Sequence, residues 1–337
     1  MTERLILVTG ATGKQGRALI HALSPSTLGE QETTKFRILA LTRSASSPSA
    51  NSLRSQGHVT VVEGNLNSEA SIRKVFEDAK SNGGGIWGVF CVLAFPGLGE
   101  KADHVEAQGK LVANISLEFN VSAFIFSSAE RGGEVDDDKF ELDGLAKVNI
   151  ERHVKELGNK GLSWTILRPT FFMENYEGTI GSITASVLQV GLKPTTTVQL
   201  IAADDIGRVA AGVFKNPESF HKRILSVFGE RCTMKEQEES YKRATGRSMP
   251  AIPHFLARMI LKLNRHTRWV TENLERMHKI HVDGTAPEQA EQLAATKEAY
   301  PGLRNFETWA REQTGQNSDK EKGWNNVSLF KLITGKQ

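Results

Sequence analysis

Cysteine is nearly missing from this chain of 337 residues: only Cys91 and Cys232 occur, outside any CxxC spacing. That excludes a disulfide framework and a cysteine-built metal centre. Cys91 lies within an apolar run and reads as a small buried hydrophobe. Charge of one sign is scarce too, with a formal net charge of only +3, too little to argue for a nucleic-acid partner. None of the histidines falls in an HExxH motif or another metal-ligand spacing, so no metal is expected, and His254, His266, His278 and His281 read as surface residues. No apolar run approaches the ~18–20 residues that span a bilayer. Met1-Thr2-Glu3-Arg4 lacks the pattern of a signal peptide. A soluble, cytoplasmic protein is the expectation.

What the chain does have is an ordinary soluble balance, 39% hydrophobic and 24% charged, and a rhythm. Short apolar runs recur at Leu5–Thr9, Phe36–Thr42 (FRILALT), Val59–Glu63 (VTVVE), Gly88–Phe95 (GVFCVLAF), Ala123–Ser127 (AFIFS) and Trp164–Arg168 (WTILR). Runs of this length, apolar on both faces, suit buried parallel strands. Helical spacing fills the gaps: Ile72, Val75, Phe76 and Ala79 share one face, as do Leu111, Val112 and Ile115. Strand and helix in alternation predict an α/β fold with a doubly wound parallel sheet. After Pro169 the rhythm loosens. TTTVQLIAADDIGRVAAGVF predicts a strand, an N-cap at Asp204 or Asp205, and an apolar helix. RILSVFG predicts a further strand, and TMKEQEESYKRATG a helix stopped by Gly246.

Gly10-Ala11-Thr12-Gly13-Lys14-Gln15-Gly16 has the spacing GxxGxxG, follows a strand and opens a helix. Glycine permits the sharp turn and lets backbone N–H groups approach a pyrophosphate; the last glycine lets helix and strand pack closely. An NAD-preferring site carries Asp or Glu at the end of the second strand. Here that end reads Thr42-Arg43-Ser44. Arg43 can instead pair with a 2′-phosphate, and Lys14 adds a second positive charge. NADP(H) is therefore expected over NAD(H). Asn65 and Leu66, after the third strand, fall where an adenine would rest. Ala94 and Phe95, after the fourth, fall near the cofactor's middle. The plain alternatives are a tight turn without a ligand and a solvated surface arginine.

In combination, VTGATGKQG, ALTRS, VVEGNLN, AQGKLVANI, FIFSSAE, GLAKVNIERHVKELG, LSWTILRPTFFMEN and IAADDIGRVAAGVF make the chain resemble the NmrA-like family, atypical members of the short-chain dehydrogenase/reductase superfamily, over roughly residues 3–312. The resemblance implies an NADP(H)-binding Rossmann core over residues 1–170, to which some later segments return. It also implies a smaller C-terminal α/β lobe over 171–313 that takes substrate or a partner; a polar tail over 314–337 would follow. It carries the cofactor turn onto Gly10–Gly16, the 2′-phosphate arginine onto Arg43, and the adenine-side pair onto Asn65 and Leu66. It carries a nicotinamide-side lysine onto Lys147, and the segment after the sixth strand onto Phe172–Asn175. The chain departs from some relatives at Ala107, where they carry a cofactor-contacting lysine; Lys110 is the nearest substitute.

The wider superfamily uses a YxxxK pair for proton transfer. None of the three tyrosines, Tyr176, Tyr241 and Tyr300, is followed by lysine at that spacing. At the expected place the chain reads Asp143-Gly144-Leu145-Ala146-Lys147. Three possibilities follow. Lys147 serves as, or orients, the proton source, against the opposing charge of Asp143. Or a proton comes from water, Ser127, Ser128 or Tyr176 to an electron-poor acceptor such as a quinone or activated alkene. Or the chain binds NADP(H), catalyses nothing and reports redox state to a protein partner. The leading expectation is an oxidoreductase reducing a small organic substrate in a cleft between sheet and lobe. Finally, HFLARMILKLNRHTRWVTENLERMHKIH puts Phe255, Met259, Ile260 and Leu263 on one helical face beside Arg258, Lys262 and Arg265. A helix packed on the lobe with a solvated basic face is expected, a membrane- or partner-binding helix being the alternative.

Overall fold

A computed structural model describes residues 2–29 and 34–315. β1 (Thr2–Val8) leads through the glycine turn into α1 (Lys14–Ala22) and a short α2 (Pro25–Leu28). β2 (Thr34–Thr42), α3 (Pro48–Arg54), β3 (Val59–Glu63) and α4 (Glu69–Ser81) follow. Next come β4 (Gly88–Cys91), α5 (Asp103–Glu118), β5 (Ala123–Ser127), α6 (Leu142–Gly158) and β6 (Trp164–Pro169). The later part holds β7 (Phe171–Phe172), α7 (Gly178–Gly191), β8 (Thr197–Ile201), α8 (Ala203–Lys215), α9 (Pro217–Phe220), β9 (Arg223–Val227) and β10 (Glu230–Thr233). It closes with α10 (Met234–Thr245), α11 (His254–Leu263), α12 (Arg265–Val282), α13 (Glu288–Ala299) and α14 (Phe306–Gly315).

Seven parallel strands form one sheet in the order β3-β2-β1-β4-β5-β6-β9. Successive side chains of a strand face opposite ways, and here both ways lead into core. Ile6, Val8, Phe90 and Ile125 join one buried cluster, Leu7, Val89, Phe124 and Phe126 the other. That is why these runs are apolar throughout rather than alternating. The order reverses between β1 and β4, which opens a crevice at the carboxyl ends of the strands. β9 comes back from the later chain, with Thr165 opposite Arg223 and Pro169 opposite Val227. α8 returns too and lies on α1 so closely that a Cβ on Gly207 would sit 2.4 Å from the Ala18 carbonyl carbon. The lobe is a small sheet, β10-β8-β7, with its own core of Met173, Tyr176, Leu188, Val198, Leu200, Phe306 and Trp309. Among the described residues no helix is long and apolar enough to cross a membrane.

Two local expectations are corrected. α8 is not capped by Asp204 or Asp205: its N-cap is Ala202, and both acids lie in the first turn. The cap is supplied from a distance, since Glu174 Oε1 accepts from Ala203 N at 2.9 Å. That frees Asp205, fully buried, to accept from Arg304 N and Nε at 2.7 and 3.0 Å. The basic helix is really two, parted at Asn264, whose Oδ1 accepts from His266 N and Thr267 N. Its expected apolar face also splits. Ile260 packs with Ala257 against Ile183 and Val187 of α7, while Phe255, Met259 and Leu263 are exposed. The expected polar tail lies, from residue 316 on, outside the described residues.

Candidate functional site

The glycine turn sits at the crevice. Thr9 Oγ1 donates to Val92 O at 2.8 Å and accepts from Val92 N at 2.9 Å, stitching the ends of β1 and β4 together. Gly10 follows at φ +58°, and a Cβ there would lie 2.9 Å from Val92 O. A Cβ on Gly16 would lie 2.5 Å from Gly10 O and 2.7 Å from Ala11 Cα. Neither position admits a side chain without moving backbone, so the turn presses as close to the sheet as a chain can. Gly13 is the N-cap of α1, and no side chain caps that end among the described residues. The first turn, Lys14-Gln15-Gly16, carries no acid. The N–H groups of this turn and the positive end of the helix dipole make a cradle of the kind that fits a pyrophosphate.

Neighbouring side chains brace this cradle. Ser127, at the end of β5, donates to Gln15 Oε1 at 2.6 Å. Lys14 does not stand as a spare cation: its Nζ pairs with Glu177 Oε2 at 2.6 Å, across to the start of α7. The lobe folds over the end of α1 and meets the charge that the sequence suggested for a 2′-phosphate. Ala11 is buried and Thr12 half-buried in the same turn.

Arg43 is exposed just past β2, in a run of hydroxyl side chains where Thr42 Oγ1 accepts from Ser44 N. Glu63, which the sequence reading passed over, stands opposite Thr42 at the end of β3 and accepts from Ala45 N at 3.2 Å. The strand pairing brings an acid beside the basic position; only a register, not a spacing in the sequence, could have revealed it. Asn65 is exposed, its Oδ1 accepting from Asn67 N at 3.0 Å, and Leu66 packs half-buried on the core. Ala94 and Phe95 are exposed after β4. Phe172 and Asn175 are half-buried after β6, Phe172 resting against the sheet core. The glycine turn, Arg43, Asn65, Leu66, Ala94 and Phe95 thus all follow the ends of strands of the large sheet, whereas Phe172 lies in β7 of the lobe sheet.

Beside the crevice opens a cavity of about 460 Å³, lined among others by Phe95, Phe140, Asp143, Lys147 and Trp269. Its roof is the start of α12. Trp269 meets Phe140 edge-on, ring centroids 6.3 Å apart. Lys147 Nζ pairs with Asp143 Oδ2 at 3.0 Å, one turn apart on α6. The carboxylate standing where a tyrosine would be in the YxxxK pair therefore holds the lysine directly, and a neutral amine there would leave that carboxylate unpaired.

The wall between β5 and α6 rests on a buried ionic cluster that no sequence spacing announced. Arg131 Nη1 and Nη2 donate to Glu151 at 2.7 and 2.8 Å, and Arg131 also pairs with Asp137 at 2.5 Å. Arg168 Nη2 adds bonds to Glu151 at 2.6 Å and Glu134 at 2.7 Å. Arg168 and Glu151 are each 1% exposed. Burial alone would raise the Glu151 carboxyl; the Arg168 and Arg131 guanidiniums overcome it and hold the group at about 2. The cluster fixes the loop that carries Phe140 into the cavity wall.

The suggested proton donors fare differently. Tyr176 is not at the cavity: it is buried in the lobe core, its hydroxyl donating to Gln237 Oε1 at 2.6 Å, and burial pushes its phenol far up. Ser127 spends its proton on Gln15. Ser128 Oγ is buried without a hydrogen-bond partner among the described residues. Lys110, the suggested stand-in for the lysine missing at Ala107, pairs with Glu106 at 2.6 Å. Burial raises Glu174 to about 7, against the bond from Ala203, and its Oε2 lacks a partner among the described residues. No group of His, Cys, Asp and Glu suited to hold a metal occurs among the described residues.

The NmrA-like family model matches residues 2–310. Among curated proteins the chain is similar to the "NmrA-like family domain-containing oxidoreductase FrzB" of Cladobotryum sp, 24% identical over 281 residues, covering 75% of this chain and 78% of that one. Among solved structures, NmrA, a negative transcriptional regulator, in complex with NAD matches with TM-score 0.64 and 17% identity, over 94% of this chain and 99% of that one. The NADPH-dependent quinone oxidoreductase QOR2 of Escherichia coli, complexed with NADPH, matches with TM-score 0.62 and 19% identity, over 92% and 99%. The two structural likenesses speak to the fold.

Proposed function

The chain belongs to the NmrA-like family, and from that premise we propose that it is an NADPH-dependent oxidoreductase that reduces a small organic acceptor: a quinone, enone, imine or carbonyl. The observation that carries this is the cavity of about 460 Å³ beside the glycine-turn crevice, with Lys147 and Asp143 on one side and Phe95, Phe140 and Trp269 around it. A pure nucleotide-binding surface has no need of a second, aromatic-lined space of substrate size at that place. The oxidoreductase named among the curated relatives and the NADPH-bound quinone reductase among the structural ones agree with it.

The cofactor, when bound, supplies a hydride. The backbone of Gly10, Ala11, Thr12, Gly13, Lys14, Gln15 and Gly16 would hold its pyrophosphate, Arg43 its 2′-phosphate, and Asn65 and Leu66 its adenine. Ala94 and Phe95 would lie along its middle, with Lys147, Phe172 and Asn175 on the nicotinamide side. Lys147, held by Asp143 at 3.0 Å, acts as a hydrogen-bond donor that orients a ribose or acceptor oxygen. The aromatic rings accommodate a flat acceptor, and Phe95 and Trp269, 44% and 45% exposed, leave water access to it. An acceptor whose reduced oxygen or carbon takes its proton from water suits this site, because Tyr176 is out of reach and Ser127 is committed to Gln15.

NADPH oxidation across a panel of quinones, enones and imines tests the proposal. Turnover with at least one acceptor, lost in Lys147→Ala while cofactor binding persists, is the expected result. A second reading, a non-catalytic NADP(H) sensor for a protein partner, is favoured by one observation: the lysine at the catalytic place is paired with aspartate, not tyrosine. No turnover with any acceptor, together with partner capture that depends on NADP⁺ or NADPH, would establish that reading instead.

A further inference from the structure

A second, smaller cavity of about 180 Å³ opens behind the first and shares with it a wall of Ala129, Glu130, Trp269 and Asn273. Its floor is one face of the lobe sheet. Along β8 and β10 the side chains alternate: Val198, Leu200 and Cys232 turn into the lobe core. Thr197, Gln199 and Arg231 turn the other way and line the cavity. Gln199 and Arg231 stand directly opposite each other on the antiparallel pair. A sheet face roofed by a helix is where apolar side chains belong. This one is polar, though Gln199 is only 9% exposed.

Arg231 is the unusual member. Its Nη1 donates to His281 Nε2 at 2.8 Å and its Nη2 to Gln289 Oε1 at 3.1 Å, both uncharged acceptors. Its Nε is buried without a partner, as is Gln199 Oε1, among the described residues. No carboxylate among the described residues forms an ion pair with it. The one acid of the cavity wall, Glu130, is turned elsewhere: Oε1 accepts from Arg131 N and Gly132 N, and Oε2 from the Ser226 hydroxyl. On the opposite side His278 Nδ1 accepts from Thr197 N at 3.2 Å. Glu130 attracts the Arg231 guanidinium without bonding to it, and the Phe228 ring lies 5.0 Å from its centre. A half-buried guanidinium whose hydrogen bonds go only to uncharged acceptors is a costly arrangement that an anion would complete.

We propose that this inner cavity is a subsite for a carboxylate, or an equivalent planar oxyanion, carried on a short arm of the molecule that occupies the outer cavity, with Arg231 as its ion-pair partner. The substrate is then an acidic molecule and not a bare quinone or carbonyl compound. The identity of that molecule as a reducible acceptor rests on the oxidoreductase reading; the anion site itself does not. The two are therefore tested apart, by binding without turnover. Calorimetry of the full chain with 3-(2-naphthyl)propanoate, which cannot be reduced, and with its neutral amide, is the measurement. The acid should bind about tenfold or more tighter than the amide, as a charge-assisted pair predicts. Arg231→Met should erase the difference. Arg231→Gln, kept as a second variant in case the first fails to fold, should narrow it. Equal binding of acid and amide, no binding of either, or a preference that survives in a folded Arg231→Met protein would overturn the proposal. A clear preference for the acid in a protein that oxidises NADPH with no acceptor would uphold the subsite and sink the reductase.

Discussion

Glu151 offers the sharpest test of how this site is held. Two guanidiniums, Arg131 and Arg168, converge on one carboxylate that is 1% exposed. Glu151→Gln keeps the shape, removes the charge and points an amide N–H₂ toward a cation. Removing one partner of a buried ion pair typically costs about 3–5 kcal/mol, because the other charge stays buried and unpaired. The carboxyl itself supports that scale. Its depression from the ordinary 4.5 to about 2 corresponds to roughly 3 kcal/mol of folding free energy. The sign follows from the direction of the shift. A carboxyl depressed in the folded state stabilises fully above its unfolded value of 4.5, and that contribution is lost as pH falls toward 2. The Gln variant cannot lose it. Urea unfolding at pH 7 should therefore show a deficit of about 3 kcal/mol, narrowing steadily between pH 4.5 and the lowest pH at which both proteins still fold. Replacing Glu151 and Arg168 together by methionine should cost less than the Gln variant alone, since no orphaned charge remains at that pair. A deficit under about 1 kcal/mol at pH 7, or one that does not change with pH, would show that the cluster is a solvated group of charges and not the support of the cavity wall.

Other predictions follow from the same geometry. Arg43→Ala should weaken NADPH binding roughly 10- to 100-fold, the value of a charge-assisted pair, and NADH binding hardly at all; equal losses measured by cofactor fluorescence titration would remove the 2′-phosphate assignment and draw attention to Glu63. Tyr176→Phe should leave turnover unchanged and cost about 1–2 kcal/mol in stability for the lost bond to Gln237; a collapse of kcat would restore it as a proton donor. Glu174 has the opposite sign to Glu151. Its folded value of about 7 lies above the ordinary 4.5, so its unfavourable ionisation in the folded protein makes stability fall as pH rises through that window. Glu174→Gln should thus improve relative to wild type by about 2–3 kcal/mol between pH 5 and pH 8, and a constant difference in melting behaviour across that range would refute the shift.

Much of the large sheet was legible from the amino acids in order. Its strands are apolar on both faces, because helices cover both, and such runs declare themselves without a partner in view. The glycine turn was equally legible, since Gly10 and Gly16 answer to contacts within a few residues and to the strand beside them. Single features of the later chain were less so. The helix start at Ala203 was misplaced because its cap, Glu174, lies 29 residues earlier. The face of α11 was misjudged because a period of 3.6 marks which residues share a side, not which side meets α7.

What the sequence determined by itself was therefore whatever depends on local rules: the alternation of strand and helix, the close-packed turn, the arginine after β2 and the aspartate in place of tyrosine. What the tertiary structure alone decided was which charges meet. Lys14 finds Glu177, Glu151 gathers Arg131 and Arg168, and Arg231 forms no ion pair with a carboxylate among the described residues. Read in order, each of these is an ordinary charged residue on an ordinary helix or loop. Whether a charge is solvated, paired or waiting depends on burial and on neighbours far away in the chain, and electrostatic energy grows as water is removed. That is why the fold and the close-packed glycine turn could be read from the order of residues, while the cavity walls and the surroundings of Arg231 became visible only in three dimensions.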